Sequence, residues 1–326
     1  MRFIEYNAFK SKEKNASSKA KVDVSSILHR LGFKDLYKPS QYRIVRIIQQ
    51  FWNIIFLPKD IVLVIQYQSH IPFFYRLLSL KRKITKIAIL HDVESLRGKL
   101  PKEKEIKILN GFDLIIDHNP AMREYLVSNG LKSPIQDIGI FDYLLNSSIR
   151  VNTQFDRYSI FFAGNLYKSK FLSKLGSLQD LNFNIYGSSF DGIKNIIDQP
   201  NVYYKGAFLP DDLISNIEGG WGLVWDGDDL ATCSGATGEY LKYNNPHKVS
   251  MCIVSERPLI IWSQSAMAKY ILSKGIGICV NNLYELSDII RKITDCEYKE
   301  MVEKVKIEKQ RLINGQNLKE CLEKWI

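Results

Sequence analysis

Short apolar runs alternate with longer amphipathic stretches along the first half of the chain. The runs at 61–66 (IVLVIQ), 87–90 (IAIL) and 114–116 (LII) have the length and the Val/Ile content of buried strands. The stretches at 73–80 and 120–129 repeat apolar residues with a helical period. Strands that are apolar at consecutive positions are typical of a parallel sheet covered on both faces. This half of the sequence therefore predicts an α/β fold.

The same alternation starts again after a polar segment at 146–157. Further apolar runs predict strands at 159–162 (SIFF), 183–186 (FNIY), 202–204, 222–225, 258–262 and 277–280. A lysine- and glutamate-rich helix is expected at 298–312, followed by a second segment that ends at Trp325. The pattern indicates two successive α/β units joined near residue 150.

Length and composition agree with a water-soluble protein of two domains. A chain of 326 residues is longer than one average domain, and its 45% apolar and 25% charged residues are ordinary for a folded protein. No stretch has the build of a signal peptide or the length of a membrane span, so a cytoplasmic location is expected. The five cysteines include no CxxC pair and no metal-ligand spacing, which favours a reducing compartment.

Positive charge is concentrated in parts of the chain, which has a formal net charge of +10. Lysine and arginine cluster at 10–21 and 80–86. Such patches suit phosphate-bearing ligands, an anionic membrane surface or nucleic acid. No aromatic-interleaved basic stripe or known nucleic-acid module is present in the sequence, so nucleic acid is not expected as a partner.

A glycine-containing turn follows the predicted strand at 159–162. Gly164 and Asn165 come just after the strand, and a helix is expected to begin near Lys168. Glycine allows the backbone to approach a ligand, and a helix N-terminus offers free N–H groups to a phosphate. Lys168 would add a positive charge there. Many strand-to-helix turns contain glycine, so an ordinary turn is the alternative.

The segment 225–248 combines glycines, amides and charged residues between a predicted strand and a helix. Its candidate ligand-binding residues are Asp226, Lys242, Asn244, Asn245, His247 and Lys248. Pro246 can occupy the first helical turn with Asn244 or Asn245 as N-cap, so that helix N–H groups and Lys248 would meet a diphosphate. Ordering such a loop is costly unless it has a function. A surface loop with an ordinary cap is the alternative.

A polar cluster follows the predicted strand at 87–90. It contains His91, Asp92, Glu94 and Arg97, and ligands of open α/β sheets bind beyond the carboxyl ends of the strands. A histidine or carboxylate there could act as a general base on an acceptor hydroxyl. The alternative is structural: Asp92 caps a helix and Glu94 pairs with Arg97.

Two weaker motifs complete the set of candidates. Gly206 and Phe208 follow the predicted strand at 202–204, where glycine would let a flat base approach and Phe208 would contact it. The small-residue segment 14–20 opens a helix and includes Ser17, Ser18 and Lys19, which would contact an acceptor or form a flexible turn.

Together these motifs resemble the bacterial β-1,6-galactofuranosyltransferase-like family of GT-B glycosyltransferases. The resemblance rests chiefly on GLVWDG at 222–227, TCSGATGEYLKYNNPHK at 232–248 and AGNL at 163–166. HDVESLR at 91–97, DHNPAM at 117–122 and DIGIFDYL at 137–144 are also similar to the family and occur in its order. The family includes the glucosyltransferases that extend the first sugar on serine-rich-repeat adhesins, but TCSGATGEYL is more similar to the galactofuranosyltransferases.

The resemblance implies a GT-B fold, in which two Rossmann-like domains face each other across a cleft. The expected domains are then 1–150 on the acceptor side, 151–307 for the nucleotide sugar, and a helical segment, 308–326, that packs back on the first domain. The resemblance also implies a UDP-sugar donor and no cofactor or metal ion. Asp226, Asp228 and Asp229 would only superficially imitate a metal-binding triad.

The predicted activity is inverting transfer of a hexose, with galactofuranose as first choice, to a hydroxyl of a glycan, glycolipid or glycoprotein in cell-surface polysaccharide or glycoconjugate synthesis. Asp92 or His91, and next Glu94, would be the base. Lys168, Lys248 and Lys242 would stabilise the leaving diphosphate, and Ser17, Ser18, Lys19 and Arg97 would face the acceptor.

Other functions stay open at this point. One is a UDP-glucose-dependent glucosyltransferase that extends GlcNAc on a serine-rich-repeat adhesin. Others are a non-catalytic nucleotide-binding partner subunit, a nucleotide-sugar epimerase on the same two-domain plan, and a nucleic-acid binder driven by positive charge. Peripheral association with the inner membrane face and homo-oligomer formation are also open.

Overall fold

The computed structural model describes residues 1–5, 16–38, 40, 42–67, 72–81, 83–188, 196 and 198–325, with the backbone alone at 5, 16, 17, 43, 72 and 73. These residues form two compact units. The first lies within Met1–Ser11, Lys21–Gly139 and Asn317–Ile326, and the second within Lys12–Ala20 and Ile140–Gln316. The domain bounds expected from the sequence remain predictions.

A six-stranded parallel sheet forms the centre of the first unit. The strands are β1 (Arg2–Glu5), β2 (Lys34–Asp35), β3 (Ile61–Gln66), β4 (Ile84–Ile89), β5 (Leu114–Asp117) and β6 (Ile135–Asp137). The helices up to residue 139 are α1 (Ala16–Arg30), α2 (Arg43–Ile55), α3 (Pro72–Ser79), α4 (Lys102–Leu109) and α5 (Pro120–Ser128). The strand order is β2-β1-β3-β4-β5-β6, and every pairing is parallel.

The core of the first unit follows from the consecutive apolar residues of its strands. Leu63 and Ile65 lie on one face of β3 and pack in a buried cluster with Phe74 of α3 and Ile115 of β5. Val64, between them, is also fully buried, although side chains alternate between the two faces of a strand. Both faces of this sheet are therefore covered. Burial of each such side chain contributes about 1.5–3 kcal/mol.

A second six-stranded parallel sheet forms the centre of the second unit. Its strands are β7 (Ser159–Ala163), β8 (Asn182–Tyr186), β9 (Val202–Gly206), β10 (Trp221–Val224), β11 (Leu259–Trp262) and β12 (Gly277–Val280). Its helices are α6 (Pro210–Asn216), α7 (Gly235–Glu239), α8 (His247–Val254), α9 (Ala268–Lys274), α10 (Leu286–Lys292) and α11 (Asp295–Ile313), and α12 (Gln316–Leu322) follows them. Short 3₁₀ segments lie at Leu166–Lys168, Lys170–Ser177, Tyr240–Lys242, Leu283–Glu285 and Glu323–Trp325.

The strand order of the second sheet, β12-β11-β10-β7-β8-β9, is that of a dinucleotide-binding Rossmann fold. The chain builds β7, β8 and β9 outward in one direction and then returns to the other side of β7 with β10. The order therefore reverses between β7 and β10. Ligands of open α/β sheets bind at such a switch point, beyond the carboxyl ends of the strands.

The helix expected near Lys168 is replaced by the two 3₁₀ segments Leu166–Lys168 and Lys170–Ser177. The side-chain amide of Asn201 donates to the carbonyls of Leu175, Leu178 and Leu181 at 2.8–3.2 Å. Of these three residues only Leu175 lies in the second 3₁₀ segment, so its carbonyl has a hydrogen-bond partner outside that segment. No helix in the described part of the chain is long and apolar enough to cross a membrane.

Candidate active site

Two of the predicted motifs meet at the switch point of the second sheet. β7 ends at Ala163 and leads into Gly164, while β10 ends at Val224 and leads into Trp225 and Asp226. The two strands are paired through Trp221 opposite Ile160 and Gly222 opposite Phe161. Since both strands end at the same edge of the sheet, the segments that follow them lie side by side.

Lys248 joins these two segments. Its Nζ lies 2.6 Å from Oδ1 of Asp226, donates to the carbonyl of Trp225 at 3.0 Å, and lies 4.6 Å from the ring centre of Phe162. A Cβ added to Gly164 would lie 3.1 Å from Cε of Lys248, so the glycine leaves room for this side chain. Lys248 is therefore a nearly buried cation, with 13% of its side chain exposed, at the switch point.

Close packing of α8 against β10 brings Lys248 to this position. A Cβ added to Gly222 would lie 2.3 Å from Sγ of Cys252, which is fully buried on α8. The helix can approach the strand this closely only because residue 222 is glycine. Ser250 fixes the other side of the helix by donating to the carbonyl of Phe141 at 2.7 Å.

The N-cap expected for α8 was wrong. The helix begins at His247 with Pro246 as N-cap, in an extended conformation and with no side-chain capping bond. Asn244 instead donates its backbone N–H to the carbonyl of Tyr240 at 3.1 Å, which closes the preceding turn. Among the described residues, the buried Oδ1 of Asn244 has no hydrogen-bond partner. It is an acceptor that a ligand could use.

Other donor-side candidates lie around this centre. Asn165 accepts a bond from the backbone N–H of Lys168 at 3.3 Å, and Lys168 is exposed. Lys242 pairs with Glu239 at 2.6 Å and lies over the ring of Trp262 at 5.4 Å.

Two further candidates of the same segment are His247 and Asn245. His247 is stacked on Phe141, with ring centres 5.4 Å apart, and Asn245 is buried. Both residues therefore contribute to the packing around the start of α8.

The three aspartates that superficially resemble a metal triad are each placed against a lysine. Asp226 pairs with Lys248, Asp228 lies 3.7 Å from Lys170, and Asp229 lies 2.5 Å from Lys174. A hydrogen bond from the backbone N–H of Ala231, followed by Lys174, lowers the pKa of Asp229. Within the described ranges, no three or more His, Cys, Asp or Glu side chains are grouped so that they could hold a metal ion.

Gly206 and Phe208 lie at the carboxyl end of β9, which is separated from β10 by β7 and β8. The carbonyl of Gly206 accepts a bond from the N–H of Gly187 at 3.0 Å, and the ring of Phe208 lies 6.2 Å from that of Tyr186. The structure therefore places both residues at the carboxyl edge of the second sheet, with Phe208 packed on an aromatic neighbour.

The candidate bases lie in the first unit, at the carboxyl end of β4. Nε2 of His91 lies 2.7 Å from Oε1 of Gln66, whose Nε2 in turn donates to Oγ of Ser25 at 2.8 Å. Because the amide oxygen only accepts, Nε2 of His91 is the donor and a neutral ring has its lone pair on Nδ1. Gln66 thereby orients the ring of His91, which follows β4 by two residues.

Asp92, Glu94 and Arg97 form a network of charges beside His91. Arg97 pairs with Asp92, and its Nη1 lies 3.9 Å from Oε1 of Glu94, whose Oε2 is 3.5 Å from Nζ of Lys99. Burial lowers the pKa of Lys21, and the nearby Asp92 partly opposes that effect. Arg97, predicted on the acceptor side, is thus engaged with the predicted base.

Sequence reasoning missed Glu105, a fully buried residue of α4. Its Oε1 accepts the N–H of Glu94 at 2.9 Å and the hydroxyl of Tyr67 at 3.2 Å, and its Oε2 accepts the N–H of Ser95 at 2.7 Å. Burial, and then the charge of Glu105, raises the pKa of Tyr67. Glu105 therefore holds the backbone that carries the candidate bases.

The motif DHNPAM supplies a buried carboxyl pair at the same edge of the first sheet. Asp117 ends β5 opposite Asp137 in β6, and Nη2 of Arg123 lies 2.6 Å from Oδ1 of Asp137. Burial, together with Asp137, raises the pKa of Asp117 to about 9, so Asp117 is protonated at neutral pH. Asn119 caps α5 by accepting the N–H groups of Ala121 and Met122.

The predicted acceptor-side segment lies at the start of α1. Lys19 donates to the carbonyl of Leu144 at 2.5 Å, lies 3.2 Å from Oδ1 of Asp211, and lies 4.7 Å from the ring centre of Tyr143. Ser18 is half-buried on the same helix, and the side chain of Ser17 lies outside the described residues. Lys19 is therefore occupied by contacts within the protein.

Two domain models of one known family match the two halves of the chain. The N-terminal and C-terminal domain models of the family described as Glucosyltransferase 3-like match residues 2–140 and 160–325. The chain is similar to the β-1,6-galactofuranosyltransferase WbbI of Escherichia coli (strain K12), at 34% identity over 261 residues, or 78% of this chain and 74% of that protein. It is also similar to Glucosyltransferase 3 of Streptococcus gordonii, at 26% identity over 309 residues, or 88% and 87% of the two chains.

A solved structure gives independent support for the fold. The apo lipopolysaccharide outer core galactosyltransferase WaaB matches with a TM-score of 0.61 over 100% of this chain and 99% of its own, at 10% identity. The α/β GT-B fold class predicted from the motifs is confirmed by this likeness and by the two parallel sheets. The chain therefore belongs to the Glucosyltransferase 3-like family and is a glycosyltransferase.

Proposed function

We propose that this glycosyltransferase moves a hexose from a UDP-sugar to a hydroxyl of a growing glycan in cell-surface polysaccharide or glycoconjugate synthesis, with inversion at the anomeric carbon. One observation carries the donor assignment: Lys248 lies at the switch point of the second sheet, between the segments that follow β7 and β10. A fixed cation there is suited to a diphosphate, because ligands of such sheets bind at this position.

A diphosphate would take the place of the carboxylate that Lys248 now contacts. Nζ of Lys248 lies 2.6 Å from Asp226, so its charge is balanced in the absence of phosphate. Two further cations are proposed to stabilise the leaving group. Lys168 is exposed in the segment that follows β7, and Lys242 is paired with Glu239. The buried Oδ1 of Asn244 is proposed to accept a bond from the nucleotide.

Galactofuranose is the proposed sugar. The relative named as a β-1,6-galactofuranosyltransferase shares 34% identity with this chain, whereas the relative named as Glucosyltransferase 3 shares 26%. The second candidate is therefore glucose, transferred to GlcNAc on a serine-rich-repeat adhesin. Turnover of UDP-galactofuranose and UDP-glucose on a panel of glycan acceptors separates the two.

The proposed chemistry is a single displacement. The acceptor oxygen bonds to the anomeric carbon while the bond from that carbon to the diphosphate breaks, and the acceptor proton moves to the base. Asp92 or His91 is the proposed base, with Glu94 as the next choice, and UDP leaves with the bonding electrons. No metal ion is proposed to take part, so turnover should persist in EDTA.

The donor site is tested by calorimetry of UDP binding in EDTA. Wild-type protein should bind UDP, and Lys248→Ala should weaken binding and lower turnover about a hundredfold or more, since pre-placed donors are worth several kcal/mol to a leaving group. Lys292→Ala, at an exposed lysine of α10, is the control and should behave as wild type. Absence of UDP binding by the wild type would refute the donor assignment.

The base is tested by turnover of Asp92→Asn and His91→Ala. Loss of a general base costs about 10²–10⁴-fold, and UDP affinity should not change because the donor residues lie in the second unit. Full activity in both variants would exclude these residues and direct attention to Glu94.

A further inference from the structure

An apolar face of α2 is exposed to solvent. The helix has the sequence RIVRIIQQFWNII. Its exposed apolar residues are Ile44, Val45, Ile48, Trp52 and Ile55, and the exposed Phe56 follows directly after the helix. At 100° per residue they occupy an arc of about 120°. Trp52 is 63% and Ile48 60% exposed, and the rings of Trp52 and Phe56 are 4.6 Å apart. This face is therefore a continuous apolar surface rather than scattered exposed side chains.

The opposite side of α2 anchors it in the first unit. Ile54 and Gln50 are buried, and Ile54 belongs to the core cluster of that unit. Gln49 bonds the backbone of Ser40 at 2.8 Å and of Lys38 at 3.2 Å, and Nζ of Lys81 donates to the carbonyl of Ile55 at 2.9 Å. The exposed face is thus held in a fixed orientation by a folded scaffold.

Basic residues are concentrated in the sequence around α2. Between residues 36 and 91 the sequence has nine lysines and arginines and one acidic residue, Asp60. The ammonium group of Lys81 donates to the carbonyl of Ile55 on α2. The backbone carbonyl of Lys38 accepts a bond from Gln49, and the Lys38 side chain is exposed. Lys59, which is exposed, follows Phe56 by three residues. Helix α2 itself has no acidic residue.

We propose that the exposed face of α2 docks on an anionic lipid bilayer, with its apolar side chains in the interface and the surrounding lysines and arginines at the headgroups. A helix with one apolar face that bears Trp and Phe, next to Lys and Arg, is the usual form of an interfacial helix. The positive charge of these lysines and arginines also favours an anionic bilayer over a second copy of the chain. Two such faces brought together would place two cationic borders side by side, which is unfavourable.

Vesicle flotation tests the proposal with full-length protein. The protein should float with phosphatidylglycerol-containing vesicles, not with pure phosphatidylcholine, and salt should weaken the binding. Ile48→Ser/Trp52→Ser should lower the bound fraction by on the order of tenfold or more. The matched control is Leu272→Ser/Ile307→Ser, at residues 57% and 66% exposed in the second unit, and it should bind as wild type.

The charge contribution is tested separately. Lys38→Ser/Lys59→Ser should weaken binding about fivefold per lysine, and Lys292→Ser/Lys299→Ser, at two exposed lysines of the second unit, should leave it unchanged. Trp52 is the most exposed of the five tryptophans, since Trp221, Trp225 and Trp262 are buried and Trp325 is half-buried. Its fluorescence should shift to the blue on anionic vesicles, and Trp52→Phe should abolish that shift.

Two results would overturn the proposal. One is equal binding of the wild type to anionic and neutral vesicles, or to neither. The other is a stable oligomer of the wild type that Ile48→Ser/Trp52→Ser converts to monomers without any change in vesicle binding, which would assign the face to a second copy. Thermal melts of all variants confirm that the fold is retained.

Discussion

Asp117 and Asp137 lie opposite each other in neighbouring strands of the first unit. Asp117 is fully buried opposite Asp137, and its pKa is raised from 3.8 to about 9, first by burial and then by its neighbour. Between these two values the native state holds a proton that the unfolded chain releases. The stability that comes from this proton is therefore complete below pH 4 and is lost as the pH rises through about 9.

Asp117→Asn should remove this pH dependence, since asparagine has a similar shape but no charge. Between pH 7 and 9 the urea midpoint of the wild type should fall more than that of the variant. Neighbouring His118, whose pKa is lowered by burial to about 4, does not interfere because it is neutral throughout this range. Asp229→Asn, at an exposed carboxylate in the second unit, should keep the wild-type slope. Equal slopes in the wild type and Asp117→Asn would show that Asp117 is ionised at pH 7.

Helix α4 acts on the candidate bases through Glu105. Glutamine at 105 keeps one acceptor oxygen and places an NH₂ group against a backbone N–H, so Glu105→Gln should destabilise the protein by about 1–3 kcal/mol. The segment carrying Asp92 and Glu94 would lose its anchor, so turnover should fall while UDP affinity stays unchanged. Chemical denaturation, turnover and calorimetry measure the three quantities.

A matched control for this prediction lies on the same helix. Glu103 is exposed on α4, and Glu103→Gln should leave stability and turnover as in the wild type. Reduced UDP affinity in Glu105→Gln would argue against a role confined to the first unit.

The contact of α8 with β10 depends on glycine at position 222. Gly222→Ala places a Cβ 2.3 Å from Sγ of Cys252, which is far too close, so the helix must shift. Overpacking of this kind costs about 1–3 kcal/mol, and displacement of Lys248 on the same helix should also weaken UDP binding. Cys252→Ala in the same chain should restore part of both losses. If the double variant shows only the sum of the single effects, the two residues do not clash.

Elements with consecutive apolar residues were predictable from the sequence, and elements made by tertiary contacts were not. The predicted strand at 61–66 is β3 as observed, because IVLVIQ is buried on both faces. β4 begins at Ile84 rather than 87, since Lys86 is buried in the strand although its type suggests a surface position. β2 is only two residues long and carries no apolar residue, so no pattern marked it.

The parts of the candidate site that directly follow a predicted strand or begin a predicted helix could be found in the sequence. The glycine-rich and lysine-bearing motifs that end β7 and begin α8 were found in the sequence, and the structure brings Gly164, Asp226 and Lys248 together. Glu105 gave no signal because its partners at 94 and 95 are backbone groups of another segment. The partner of Lys19, Asp211, is almost 200 residues away along the chain, and only folding reveals it. The roles of these residues in catalysis remain predictions.

The first unit includes a segment from the end of the sequence, helix α12, in addition to its N-terminal residues. Leu318 and Leu322 of α12 are fully buried, and Sγ of Cys321 donates to the carbonyl of Asp137 at 3.5 Å. Leu318→Ala should cost about 2–5 kcal/mol. Hydrogen exchange should show reduced protection in β5 and β6, far from the substitution in sequence. Leu272→Ala, at an exposed position of α9, should leave that protection unchanged; unchanged protection in both variants would mean that α12 does not support these strands.

The contact between Cys321 and Asp137 also sets an order of events on the ribosome. The two residues are 184 positions apart, so elongation takes roughly 10 to 40 s to supply the second after the first. During that interval strand β6 lacks its contact with α12, while residues 140–316, which form most of the second unit, are still being synthesised. The first unit is therefore incomplete until α12 has been synthesised. The yield of folded protein in a cell should depend on chaperones that bind nascent chains and on the rate of translation.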